Sequence, residues 1–426
     1  MKLILKSLML AIVLGAVGAC AQTQIKHVII IFQENRSTDN LFHGFPGADT
    51  VDTGVNSKGE KITLQPVPLI GTYDLSHAHS DFVAMYDNGK MDGADKIPVK
   101  CPKGHENCAP PNPQFMYVDP QDVEPYFQMG EQYTFGDEMF QTNQGPSFPA
   151  HQFIISGTSA PTDTSNLFDE TDAFKINASG TGCFARPEAY VRLINPHGSD
   201  KKKAYPCFDH QTLADLLDNA GITWRYYTSS KIGGWTGPNA IRHLWNGPDW
   251  KKVINNPSAI LTDISKNRLP GVSWVIPIWQ ASDHANFNKG LGPSWVASIV
   301  NAVGNSPYWS DTAIFVTWDD WGGWYDHVAP TIYDSYEYGF RVPLLVISSY
   351  AKQGYVSHVT HDFGSILKFT EEVFGLPSLG FADSRADDLF DCFQFKKPHV
   401  FHTIQAPHDA HYFLTHKFSP GPIDDD

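Results

Sequence analysis

Two adjacent carboxylates, Asp319 and Asp320, close an apolar run, Ala313-Ile314-Phe315-Val316, in the segment AIFVTWDDWGGWYDHV. The length and β-branched content of the run predict a buried strand. Two acids side by side at its end repel each other, unless they fan into water or share a cation. Gly322-Gly323 then permits a tight turn, and a second acid–imidazole pair follows, Asp326-His327. A solvated turn would be an ordinary reading of one Asp-Asp pair. A second segment of the same design argues against it: Val28-Ile29-Ile30-Ile31-Phe32 is also continuous and apolar, and it runs into Gln33-Glu34-Asn35. In open α/β sheets the carboxyl ends of strands are where sites are built. Glu34, Asn35, Asp319 and Asp320 form an oxygen-rich set suited to a hard divalent cation such as Ca, Mg or Mn.

Other reactive side chains sit at element boundaries. His77 precedes Phe82, Met85 and Tyr86 at helical spacing. Ser147 follows a Gly145-Pro146 turn, and His210 precedes a helix that starts at Thr212 and is capped by Gly221. His284 follows a strand over 272–276. Taken singly, these are caps, turn residues or surface residues. Ser147 lacks the Gly-x-Ser-x-Gly elbow of a carboxyl esterase.

The elements that must position them alternate. Strands are predicted at 28–32, 223–227, 272–276, 313–316 and 343–348, and helices at 122–132, 212–220, 293–303 and 364–374. That order specifies an α/β class protein, one three-layer α/β/α domain over 22–426. Residues 51–72, 96–120 and 158–206 read as irregular or hairpin insertions. The aromatic stretches 224–227 and 318–324 read as core, and Trp235, Trp245 and Trp250 as exposed.

A net charge of −15 over 426 residues argues against a sequence-independent grip on nucleic acid. It does not oppose an anionic small substrate, since a bound metal reverses the field locally. Residues 1–21 read as an export leader, with Lys2 and Lys6 ahead of an apolar core too short to span a bilayer. Val17-Gly18-Ala19-Cys20 would leave Cys20 lipidated at a membrane, whereas Ala19-Cys20-Ala21 fits cleavage to a soluble product, the preferred outcome. In an oxidising compartment Cys101 pairs with Cys108 and Cys183 with Cys207, leaving Cys392 free. A zinc site from Cys101, His105 and Cys108 is the alternative.

The strings HVIIIFQENRSTDNLF, DLSHAHSDFVAMYDNGKMDG, NQGPSFPAHQFIISG, SDHA, AIFVTWDDWGGWYDHVAP and RVPLLVISSYAKQGYVSH occur in this order. Together they resemble the bacterial phosphoesterase family of phospholipases C and respiratory-burst-inhibiting acid phosphatases, in the alkaline phosphatase superfamily. The resemblance spans nearly all of the chain after the leader. It implies a central mixed, mainly parallel sheet, one divalent metal and a phosphate ester or phospholipid headgroup as substrate. By position, Glu34, Asn35, Asp319 and Asp320 would hold the metal. Ser147 would be the nucleophile and complete the metal shell. His77, His210, His284 and His327 would surround the phosphoryl group.

Departures from the family pattern shift the reading within it. Asp283-His284-Ala285 stands where the phospholipases often carry Glu-His-Pro, and Asp319-Asp320 where they often carry an acid–Glu pair. Both favour a phosphomonoesterase of the acid phosphatase type over a phospholipase C. A sulfatase would need Arg where Ser147-Phe148-Pro149-Ala150-His151 has His. A non-catalytic surface protein on a degenerate fold of this family is the further alternative.

Overall fold

In the computed structural model, residues 24–105, 107–175, 180–286 and 288–419 are described. The expected leader and Cys20 lie outside them. The central sheet has eight strands: β1 (His27–Gln33), β2 (Thr134–Gly136), β3 (Trp224–Tyr227), β4 (Val253–Ile254), β5 (Val272–Val275), β6 (Thr312–Trp318), β7 (Leu344–Ser348) and β8 (Tyr355–Ser357). Their order is β4-β3-β5-β1-β6-β7-β2-β8. Only β7 runs against its neighbours; the other strand pairs are parallel. The sheet is therefore mixed and mainly parallel, as expected. β1 and β6 are apolar along their length because both faces are covered.

The covering helices are α1 (His79–Tyr86), α2 (Glu124–Gln132), α3 (Ser147–Ser156), α4 (Leu213–Asn219), α5 (Gly292–Gly304) and α6 (Phe363–Phe374). Consecutive side chains of β1 show the layering, since strand residues alternate between faces. The Phe32 ring meets His151 of α3 at 4.8 Å and Phe363 of α6 at 5.0 Å. The next residue, Gln33, donates from Nε2 to the Tyr126 hydroxyl of α2 at 2.9 Å. So α3 and α6 cover one face and α2 the other, giving three α/β/α layers.

The insertions carry more regular structure than their composition suggests. Residues 51–72 contain a hairpin, Thr53–Val55 with Lys61–Thr63. Residues 96–120, read as irregular, contain the strands Val99–Lys100 and Met116–Val118. Residues 158–206 hold a small antiparallel sheet of Phe168–Asp169, Val191–Ile194 and Lys202–Ala204. Such strands are too short to show periodicity in sequence. Both disulfides are those expected, Cys101–Cys108 and Cys183–Cys207, with Cys392 free and buried. This rules out a zinc site on Cys101 and Cys108, whose sulfurs are spent on each other. Trp318, Trp321, Trp324 and Trp224 are core, as expected. Trp235, read as exposed, is buried, with its ring 4.2 Å from that of Trp279.

A buried ion network pins the loops after β1 and β6 to the approach to β7. Arg341, fully buried, donates from Nε to Asp326 Oδ1 at 2.8 Å and from Nη1 to the carbonyls of Asp49 and Asp137. His327 joins it, with Nδ1 2.7 Å from Asp39 Oδ2 and Nε2 3.3 Å from Asp49 Oδ1. Burial opposes charge on His327, but the Asp39 hydrogen bond and the charges of Asp39 and Asp326 outweigh it and raise its pKa.

Two outcomes follow for stability. Arg341→Leu strands Asp39 and Asp326 as buried charges and costs about 3–5 kcal/mol in denaturant unfolding. His327 has a folded pKa above its unfolded one, so its contribution is complete below the unfolded value. That contribution is lost as pH rises through the folded value. The stability gap between wild type and His327→Gln therefore shrinks from mildly acidic to alkaline pH, read as the shift in urea midpoint.

Candidate active site

β1 and β6 pair in parallel register from His27 opposite Thr312 to Gln33 opposite Trp318. The pairing continues one step further, the Asp319 N–H donating to the Gln33 carbonyl at 2.9 Å. Glu34-Asn35 and Asp319-Asp320 are thereby delivered side by side at the carboxyl edge. Asn35 takes the left-handed conformation, φ 60°, and its N–H donates to Asp319 Oδ1 at 2.9 Å. Gly322 makes this close approach possible: a Cβ there would lie 2.4 Å from the Asn35 carbonyl oxygen, and its φ is +64°. The Gly322 N–H in turn donates to Asp320 Oδ1 at 2.7 Å.

Ser147 is the first residue of α3, not a free turn serine, and its hydroxyl donates to Asp320 Oδ2 at 3.4 Å. Residues four apart share a helix face, so His151 lies on the same side. Its Nε2 is 3.1 Å from Glu34 Oε1 and 3.9 Å from Asp319 Oδ2. His77 approaches from the segment before α1. Its Nε2 is 3.0 Å from Asn35 Nδ2 and 3.8 Å from Asp320 Oδ2, and its Nδ1 is 2.9 Å from the Leu75 carbonyl. One tautomer satisfies both contacts: Nδ1–H donates to Leu75, and Nε2 accepts from the Asn35 amide. The His284 ring lies 6.3 Å from that of His77, with Nδ1 donating to the Ala285 carbonyl at 2.8 Å.

Asp283 fixes the loop that presents His284. It is buried with φ 72°, and Oδ2 accepts from the Tyr126 hydroxyl at 2.7 Å and from Gln33 Nε2 and Trp318 Nε1 at 3.3 Å each. Burial pushes its carboxyl up to about 6 against those hydrogen bonds. Burial likewise raises the Asp319 pKa, while the hydrogen bond from the Asn35 N–H pulls it down.

The donor set fits a hard divalent cation. Glu34, His151 and Asp319 place ligand atoms within 4.8 Å of one another. Asn35 Oδ1 and Asp319 Oδ2 are buried and meet no hydrogen-bond partner among the described residues. Buried acceptors left without partners are costly, and a cation between them removes the cost.

Glu34, Asn35, Ser147, Asp319, Asp320, His77 and His284 thus converge. His210 and His327 do not join them. His210 sits against the far end of α3, with Nδ1 2.6 Å from the Ala160 carbonyl and Nε2 3.1 Å from the Oγ of Ser156, itself about 13 Å along the helix from Ser147. Burial lowers its pKa and holds it neutral. His327 belongs to the Arg341 network. The residue that sequence reasoning passed over is His151, whose signal was its spacing of four from Ser147.

A separate cavity of about 490 Å³ is lined by none of these site residues. Trp235 and Trp279 form one wall and also pack against His284, with ring centroids 6.0 and 4.6 Å away. Phe413, Phe418, Asn255 and Ser229 line other parts.

The sequence profile of the phosphoesterase family matches residues 25–377. Non-hemolytic phospholipase C of Pseudomonas aeruginosa is 25% identical over 88% of this chain and 58% of that protein. Phospholipase C B of Mycobacterium tuberculosis is 23% identical over 88% of this chain and 79% of that protein. The chain thus spans little more than half of the Pseudomonas relative. A solved protein of the alkaline phosphatase superfamily from Vibrio parahaemolyticus overlays 86% of this chain and 71% of its own, at 12% identity and a TM-score of 0.39. With its profile matched over most of its length, the chain belongs to the phosphoesterase family, a family of phosphoric ester hydrolases.

Proposed function

We propose that the chain hydrolyses phosphate esters with Ser147 as nucleophile. The observation that carries this reading is the convergence of the Ser147 hydroxyl, three imidazoles and three buried carboxylates at one sheet edge. Glu34, Asn35, Asp319, Asp320 and Ser147 would hold a divalent cation, with His151 bracing Glu34 and Asp319. Bound there, the ion supplies positive charge where phosphoryl oxygens become negative and lowers the pKa of a nearby hydroxyl.

The protein's own groups do the rest. Asp320 orients the Ser147 oxygen, and the first turn of α3 favours negative charge in front of it. With its hydroxyl proton released to water, the Ser147 oxygen attacks in line, forming the Ser147 O–P bond and breaking the bond from phosphorus to the leaving oxygen. His284, as imidazolium, passes a proton to that oxygen; water then cleaves the phosphoserine and releases phosphate. Asn35 and Leu75 hold His77 in the orientation that faces the phosphoryl group.

The preferred substrate is a phosphomonoester, the reading favoured by Asp283-His284-Ala285 and Asp319-Asp320. A phospholipase C acting on a diester headgroup is the second reading. The names of the relatives favour it. We further propose export, supported by the leader-like residues 1–21 and by two disulfides. Among the described residues, no helix is long and apolar enough to cross a membrane.

Ser147→Ala abolishes turnover while metal content and fold stay intact; full turnover in that variant sinks the nucleophile assignment. Faster release from p-nitrophenyl phosphate than from p-nitrophenyl phosphorylcholine selects the monoester reading, and the reverse order selects the diester one. His284→Asn lowers kcat/KM by about 10²–10⁴-fold for alkyl phosphates, and far less for p-nitrophenyl phosphate, whose leaving oxygen needs no proton. Equal losses on both substrates would remove the proton-donor role.

A further inference from the structure

A second cluster of ligand atoms lies at the outer edge of the sheet. Ser357 ends β8, His361 lies one residue ahead of the N-cap of α6, Asp362, and Asp387 and Asp391 of the segment 387–392 reach them. The His361 ring is fully buried. Its Nδ1 is 3.0 Å from Asp387 Oδ1, and its Nε2 is 3.6 Å from Asp391 Oδ1 and 3.2 Å from Ser357 Oγ. Cys392, the buried free cysteine, places Sγ 3.4 Å from Asp391 Oδ1. The ligand atoms of His361, Asp391 and Cys392 all lie within 4.8 Å of one another.

We propose that His361, Asp391 and Cys392 form a zinc site separate from the centre at Ser147. The geometry fits the ion. Tetrahedral zinc with bonds of about 2.0–2.3 Å sets its donors roughly 3.3–3.8 Å apart. The Sγ–Oδ1 and Nε2–Oδ1 separations of 3.4 and 3.6 Å fall in that range. Asp387 Oδ1 stands 3.0 Å from His361 Nδ1, where a carboxylate would orient a zinc-bound imidazole with Nε2 toward the ion. Charge points the same way. Among the described residues, no Lys or Arg pairs with Asp387 or Asp391, so one imidazole faces two carboxylates and a thiol. Burial and those carboxylates raise the thiol pKa. An ion that takes the thiolate releases that proton to water and balances the charge.

The Asp387 and Asp391 side chains are 31% and 23% exposed, which leaves an entry for the ion from solvent. Thiolate and imidazole select zinc, in contrast to the oxygen-rich set at Ser147. Ser357, His361 and Asp387 also follow the order of nucleophile, base and acid, but the Ser357 hydroxyl is buried and donates to Asp391 Oδ2 at 2.5 Å. Thr134 of β2 donates to the Cys392 carbonyl, so the ion would clip the 387–392 segment to the two strands at the sheet edge.

The test is cobalt and zinc titration of the full, chelator-stripped chain, with Asp319→Asn, Cys392→Ala and Asp387→Asn as variants. Wild type and Asp319→Asn each show a thiolate-to-cobalt charge-transfer absorption, and Cys392→Ala shows none. Asp387→Asn, at a partly exposed side chain, keeps the fold and loses about 10–100-fold in zinc affinity. Absence of the absorption in folded wild type overturns the site. So does its persistence in Cys392→Ala, or unchanged zinc affinity in Asp387→Asn.

Discussion

The parallel pairing of β1 with β6 is the constraint on which the rest depends. It forces Glu34, Asp319 and Asp320 into one buried volume, where like charges repel and water cannot screen them. The surrounding structure answers each charge separately. His151 reaches Glu34 and Asp319 from α3, the Asn35 N–H takes one Asp319 oxygen, and Gly322 and Ser147 take the two oxygens of Asp320. Asn35 Oδ1 and Asp319 Oδ2 accept no hydrogen bond among the described residues, and this leaves an electrostatic demand that a cation would meet. With an ion bound at the proposed site, the arrangement would gain the stability it costs without one.

The same sheet edge carries a second acidic cluster with a different solution. Asp39 and Asp326 are as buried as the residues beside Ser147, yet a guanidinium, Arg341, is built in to meet them. A permanent side-chain cation locks loops but leaves no open position for a substrate. The cluster at Glu34 and Asp319 has an imidazole in that role, which can be neutral and so leaves the field for an exchangeable ion. This difference in counter-charge separates the structural acids from the candidate catalytic ones more sharply than burial does.

Much of this was legible in the sequence because buried parallel strands write themselves as unbroken apolar runs. Val28 to Phe32 and Ala313 to Val316 gave both strand identity and the side of the sheet where oxygen ligands emerge. Ser147 read as a turn residue because Gly145-Pro146 precedes it, while the helix it begins is buried on every side, without an exposed polar stripe. His151 was hidden for the same reason: its partners lie more than a hundred residues away in the chain. His210 and His327 were carried by resemblance alone. Their neighbours, Ser156 and Asp39, come from folded segments that no local pattern connects to them.

The insertions explain how a set of acids at a sheet edge can stay dry. Leu75, Phe82, Met85, Ile97 and Phe115 pack with Trp321 and Trp324 into a second apolar cluster beside the main core. Trp321 also meets the His77 ring at 6.2 Å, so this cluster backs the imidazole that faces Asp320. Excluding water strengthens every charge interaction inside. The side of the site at His284 is bounded by Trp235 and Trp279, which also line the cavity. Both flanks are therefore walled by aromatic rings. In-line displacement needs the leaving group opposite the attacking oxygen. His77 is tied to Asn35 and Leu75 beside the Asp320 that holds Ser147, whereas His284 lies one imidazole farther along the chain of contacts from Ser147. That order of contacts makes His284 rather than His77 the candidate to meet a departing alcohol.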